Sequence, residues 1–115
     1  MPNNPDDAAP LWDMLDAARA ITDFVSDKRA EDYFRNRMLR GAVERHLEIV
    51  GEAARRESES FRARHPEIPW QRIIGLRNIL AHEYGEIKHE RMWALVTGEI
   101  PGLVRILAGI VPPSD

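Results

Sequence analysis

Cysteine is absent from this 115-residue chain, which removes a disulfide framework, a thiolate nucleophile and a cysteine-ligated zinc from consideration. No apolar run approaches the ~18 residues that cross a bilayer, so no membrane partner is expected. The first ten residues, Met1 to Pro10, are polar and acidic, the opposite of a secretory leader. A cytoplasmic location is the expectation. Lysine is nearly missing as well. Of 16 basic residues 14 are arginine, with only Lys28 and Lys88 as lysine. Strand-like alternation and internal repeats are missing throughout.

What is present is helical periodicity and an uneven charge. Residues 1–27 hold six aspartates against Arg19 alone, so that stretch carries −5 and the other 88 residues +2 within the formal −3. Bulk charge therefore does not select nucleic acid as a partner. Arginine's planar fork suits phosphate or carboxylate, but solvated helix faces account for it equally, so composition permits an RNA partner without demanding one.

The length predicts a single domain, with residues 1–9 a disordered lead-in, 10–111 the folded domain and 112–115 a tail. Pro10 suits a first helical turn, with Asp6 or Asp7 as cap. Leu11, Met14, Leu15, Ala18, Ile21 and Val25 then recur at helical spacing up to about Ser26. A second helix is expected from about Glu31 to Ser58, with Phe34, Met38, Leu39, Val43, Leu47, Val50 and Ala54 as its stripe. Gly41 and Gly51 inside it each cost ~1 kcal/mol against alanine, the mark of a close backbone approach. The prolines of His65-Pro66-Glu67-Ile68-Pro69-Trp70 make a connector. A third helix places Trp70, Ile73, Ile74, Arg77, Leu80, Ala81 and Tyr84 on one face and ends at Gly85. The last element runs from about Lys88 to Ile110. Its apolar seam of Trp93, Val96, Ile100, Leu103, Leu107 and Ile110 keeps phase through Pro101, as one kinked helix or two nearly collinear ones. The fold class is all-α, an antiparallel bundle of four to five helices. The long seam and three tryptophans predict a homodimer.

The chemistry concentrates in Leu76-Arg77-Asn78-Ile79-Leu80-Ala81-His82-Glu83-Tyr84-Gly85. Arg77 on an apolar face needs either an acidic partner, such as Glu48 or Glu52, or a polar cleft. His82 lies five residues on, about 140° around an ideal helix. For the two to converge, the helix must unwind near Ala81 or the site must combine two chains. Arginine with histidine suffices to cleave RNA, because the ribose 2′-hydroxyl is a built-in nucleophile. Histidine moves protons near neutrality, and arginine stabilises the charge on phosphorus. An ordinary capping histidine beside a core salt bridge is the bland alternative. A di-metal site is set aside, since Glu86-x-x-His89 has no second pair. His46 and His65 stand alone, the first at a surface or dimer edge and the second at a helix end.

Arg77, four residues, His82, one residue and Tyr84 reproduce the R-x4-H-x-Y pattern of HepT-like toxins of the HEPN superfamily. The chain resembles that family further at Asp13-Met14-Leu15, Leu47 to Ala54, Pro66 to Trp70, Gly75 to Asn78, and Trp93 through Leu103. The resemblance spans roughly Leu11 to Ile110. It implies a twofold dimer with the site in its cleft, Arg77 and His82 as the catalytic pair, and Asn78 in support. It further implies a metal-independent endoribonuclease without cofactor, the toxin of a toxin–antitoxin pair. The implied antitoxin is an MNT nucleotidyltransferase that transfers AMP to Tyr84. Many relatives carry an aromatic residue where this chain has Gly85. A non-catalytic nucleotide-binding or scaffolding bundle is the alternative within the superfamily.

Overall fold

A computed structural model describes residues 7–111. The expected lead-in up to residue 6 and the tail from residue 112 lie outside the described residues. Eight helical segments occur there without strands: α1 (Ala8–Val25), α2 (Ala30–Arg35), α3 (Arg37–Arg56), α4 (Glu59–Arg64), α5 (Trp70–Ile74), α6 (Leu76–His82), α7 (Gly85–Gly98) and α8 (Ile100–Ile110). They join into four long runs, as the apolar periodicity requires of an antiparallel bundle. The principal packing is α1 on α3 and α8, with α5 and α6 along α3, and α2 against α7. No single described helix is long and apolar enough to cross a membrane.

The core follows the predicted stripes of α1 and α8. Leu11, Met14, Leu15, Ala18 and Ile21 bury against Val43, Leu47, Val50 and Ala54 of α3. Val96, Ile100, Leu103 and Leu107 of the seam are buried within the same chain, although α7 and α8 break at Glu99 and bend by 42°. Most of the seam thus serves the protomer's own core, while Trp93 and Ile110 at its two ends stay half-buried.

Several boundaries differ from the periodicity. The second helix is interrupted at Asn36 (φ −106°, ψ 99°), whose side chain caps the new helix by accepting from Leu39 N at 3.0 Å. The break shifts the phase. Tyr33 is fully buried, whereas Phe34 and Met38 are 37 % and 86 % exposed and leave the expected stripe. The second helix also stops at Arg56, and an unpredicted α4 starts at Glu59, capped by Ser58, whose hydroxyl accepts from Phe61 N. Of the two interior glycines, only Gly51 marks a close approach. A Cβ there would stand 3.2 Å from the Ile73 carbonyl oxygen, while one at Gly41 would meet nothing.

Asp7 does not cap α1 through its side chain, and it belongs to the folded domain, as do Ala8 and Ala9, rather than to the lead-in. It accepts from the backbone N–H and hydroxyl of Ser58, both at 2.8 Å. Burial pushes its carboxyl up, but these Ser58 bonds, the neighbouring Glu57 side chain and the Arg64 charge outweigh it and hold it below the usual range. Beside it Glu57 is 2 % exposed, and neither carboxyl oxygen finds a donor. Burial, reinforced by Asp7, pushes Glu57 up to about 8 despite Arg56 and Arg62.

Between its ordinary value of 4.5 and about 8, folded Glu57 keeps a proton that the unfolded chain has released. Its contribution to stability is complete below the lower value and lost as pH rises to the upper one. Glu57→Gln should gain stability relative to wild type between pH 5 and 9, on the order of 3 kcal/mol or about 10 °C in melting temperature. Parallel melting curves across that range would refute a buried, protonated Glu57.

Candidate active site

The fold presents the Arg77 segment against the C-terminal half of α3. Trp70 anchors its start, donating from Nε1 to the His65 carbonyl at 3.0 Å. The bare backbone of Gly51 lets α5 come close to α3. Gly75 then separates α5 from α6, and α6 is unbroken from Leu76 to His82. One cleft of about 180 Å³ is lined by Glu48, Gly51, Glu52, Ile74 and Arg77.

Arg77 is not pressed into an apolar face. Its side chain is 69 % exposed, with Nη1 3.7 Å from Glu52 Oε1, so Glu52 is the partner of the two expected carboxylates. Arg55 shares the same oxygen at 3.6 Å. Exposed pairs at such distances contribute about 0–1 kcal/mol. The guanidinium is therefore held over the cleft by a contact that an incoming phosphate can replace.

Asn78 and His82 are exposed on the same short helix. The helix does not unwind near Ala81, so within one chain Arg77 and His82 keep the wide angular separation of helical geometry. Among the described residues no ion pair or side-chain hydrogen bond links them.

Tyr84 departs from the expected arrangement. The third helix ends at His82, and Glu83 and Tyr84 are extended (ψ 145° and 157°), so Tyr84 is off the Arg77 face. Gly85 does not end that helix. With φ +64° it turns the chain into α7, a conformation only glycine adopts without strain. Glu83 is clamped by Arg91, one turn and a half into α7, a contact that residue types alone did not point to. Next to that link the phenol ring is 76 % exposed.

The other histidines lie away from the Arg77 segment's cleft. His46 hydrogen-bonds the Ala42 carbonyl at 2.7 Å and meets Phe24 edge-on. His65 ends α4 and pairs with Glu67 at 3.3 Å. Glu86 and His89 line a separate cavity with Phe34 and Glu90.

An exposed arginine and histidine on one helix, next to a presented tyrosine, match one family's motif. The profile described as "Ribonuclease HepT-like" matches residues 14–110. The chain belongs to the HepT-like ribonuclease family. "Putative RNase MJ1380" of Methanocaldococcus jannaschii is 40 % identical over 91 residues, covering 79 % of this chain and 84 % of the relative. "Putative RNase TTE0752" of Caldanaerobacter subterraneus subsp. tengcongensis is 38 % identical over 93 residues, 81 % and 83 % of the two chains. "Probable ribonuclease HepT" of Thermococcus cleftensis is 34 % identical over 93 residues, 81 % and 84 %. No solved structure matches the chain. In this HepT-like chain the glycine after the tyrosine performs the turn into α7.

Proposed function

We propose that this HepT-like chain is a toxin endoribonuclease that cuts RNA without a divalent metal. Its site is assembled from Arg77 of one protomer and His82 of the other in a twofold dimer. The observation that carries this reading is the continuous helix between two exposed groups that must converge. A twofold axis beside α6 brings them together where a single chain does not.

The reaction runs by attack of the ribose 2′-oxygen on the adjacent phosphorus, with departure of the 5′-oxygen. His82 takes the 2′-hydroxyl proton and returns it, as imidazolium, to the leaving oxygen. Arg77 stabilises the charge that accumulates on the phosphoryl oxygens, leaving Glu52 to Arg55. Asn78 supports the scissile phosphate. The products are a 2′,3′-cyclic phosphate and a 5′-hydroxyl.

Silencing in this reading is covalent. The Tyr84 phenol attacks the α-phosphorus of ATP, pyrophosphate leaves, the phenolic proton is released, and AMP stays on the ring, transferred by an MNT nucleotidyltransferase. The added charge and nucleoside occlude the cleft by electrostatics and bulk. Exposure of the ring beside the Gly85 turn supports access by a transferase.

The purified chain should cut RNA but not DNA of the same sequence, in EDTA as in magnesium, and leave the cyclic phosphate. Cleavage of DNA, or loss of activity in EDTA, would defeat the 2′-hydroxyl route.

A further inference from the structure

The interruption at Asn36 builds something the motif does not use. Lys28, Asp32, Arg35, Asn36, Arg37 and Met38 line an open groove of about 580 Å³ at the junction of α2 and α3. Arg35 and Arg37 are exposed, and neither takes part in an ion pair among the described residues. Asp32 is occupied in accepting from Arg29 N at 2.8 Å, and Lys28 pairs with Asp27. Residues 28–45 hold six basic side chains against three acidic ones in a chain whose formal charge is −3.

Arg37 sits in the first turn of a helix of 20 residues that has no acid there. A cation at that end opposes the helix dipole by roughly 0.3–1 kcal/mol, so stability does not explain it. Met38, 86 % exposed, adds a polarisable apolar surface at the rim. Two unpaired arginine forks, spaced across a helix break beside an exposed thioether, suit a phosphodiester backbone with a base laid against the rim.

We propose that the α2–α3 groove holds a remote stretch of the RNA strand whose cleavage occurs at Arg77. The inference rests on the ribonuclease reading for its ligand class. Arg37 and Glu52, the residue that holds Arg77, are fifteen positions apart on α3, about 22 Å at 1.5 Å per residue. At ~3.4 Å per stacked nucleotide this corresponds to about six nucleotides. The groove would therefore supply affinity and register rather than chemistry.

Binding is read without cleavage, by fluorescence anisotropy of a 2′-O-methyl RNA strand of about 12 nucleotides across a potassium chloride series. The charge-reversed pair Arg35→Glu/Arg37→Glu is compared with Arg19→Glu/Arg105→Glu, two exposed arginines outside the groove. The groove variant should bind about tenfold more weakly, with a salt slope smaller by about 1.4, as two phosphate contacts on a single strand predict. Its melting temperature should stay near that of wild type, because the acid that Arg37→Glu places at the start of α3 offsets the one that Arg35→Glu places in the last turn of α2. The control pair should keep the wild-type slope. An equal loss in both variants would reduce the effect to bulk charge and overturn the site. Unchanged RNA binding in the groove variant would do the same and reassign the groove to an acidic protein partner. Because no bond is cut in this assay, the groove and the ribonuclease reading fail separately.

Discussion

His82→Ala should lower RNA cleavage by about 10²–10⁴-fold, the usual contribution of a positioned proton-transfer group. Arg77→Ala should lower it by about 10²–10³-fold, the loss typical of one donor to a developing anion. Helical circular dichroism should stay unchanged in both, since the two side chains are exposed and Arg77 keeps only weak surface ion pairing. The informative step is to mix the two inactive proteins after dissociation. In a twofold dimer with composite sites, each mixed dimer has one site lacking both groups and one site with both intact. Random reassortment makes half the dimers mixed, so about a quarter of wild-type activity should return. No recovery, in a mixture shown by mass to contain mixed dimers, would place Arg77 and His82 of one chain in the same site. A monomer of 13.2 kDa in solution would remove the composite site altogether.

Tyr84→Phe should separate cleavage from control. The ring is exposed and off the Arg77 face, so loss of its hydroxyl should leave ribonuclease activity within about twofold, as expected for a surface group outside the proton transfers. Wild type incubated with the cognate nucleotidyltransferase and ATP should gain one or more AMP masses and lose nearly all cleavage. The phenylalanine variant should gain none and remain active. A partner that inhibits unmodified wild type would show masking by binding alone and dispose of the covalent switch.

The sequence made the bundle legible because apolar periodicity is a local property. The stripes of α1 and α8 follow from it directly, and it narrowed an acidic partner of Arg77 to Glu48 or Glu52, of which the structure uses Glu52. It misled where one polar residue resets the phase. Phe34 and Met38 fit the helical spacing as well as Tyr33 does, and only the Asn36 cap, two residues before Met38, decides which enters the core. Tyr84 fitted the third helix for the same reason. Its true position depends on a left-handed Gly85 and on the Glu83–Arg91 contact, which joins residues on either side of the turn. The Asp7–Ser58 bonds link positions 51 residues apart, beyond any window in which a cap is sought. The candidate site was legible as a motif and as residue types, whereas its exposure and angular layout came from packing.

The brevity of α6 has a consequence for the order in which the molecule opens. The helix has seven residues, lacks a side-chain cap and buries Leu76 alone. A helix under about 12 residues is marginal in water without its tertiary contacts, and those of α6 are few beside the buried stripe of α3. Its backbone amides therefore meet solvent through local fraying, at a free energy well below that of global unfolding, while those in the middle of α3 wait for the whole bundle to come apart. Arginine, asparagine and histidine ride on a segment that loosens well before the bundle does, with the tyrosine two residues beyond it. Whatever docks there, strand or second protomer, must first supply the order that the isolated two turns of helix do not possess.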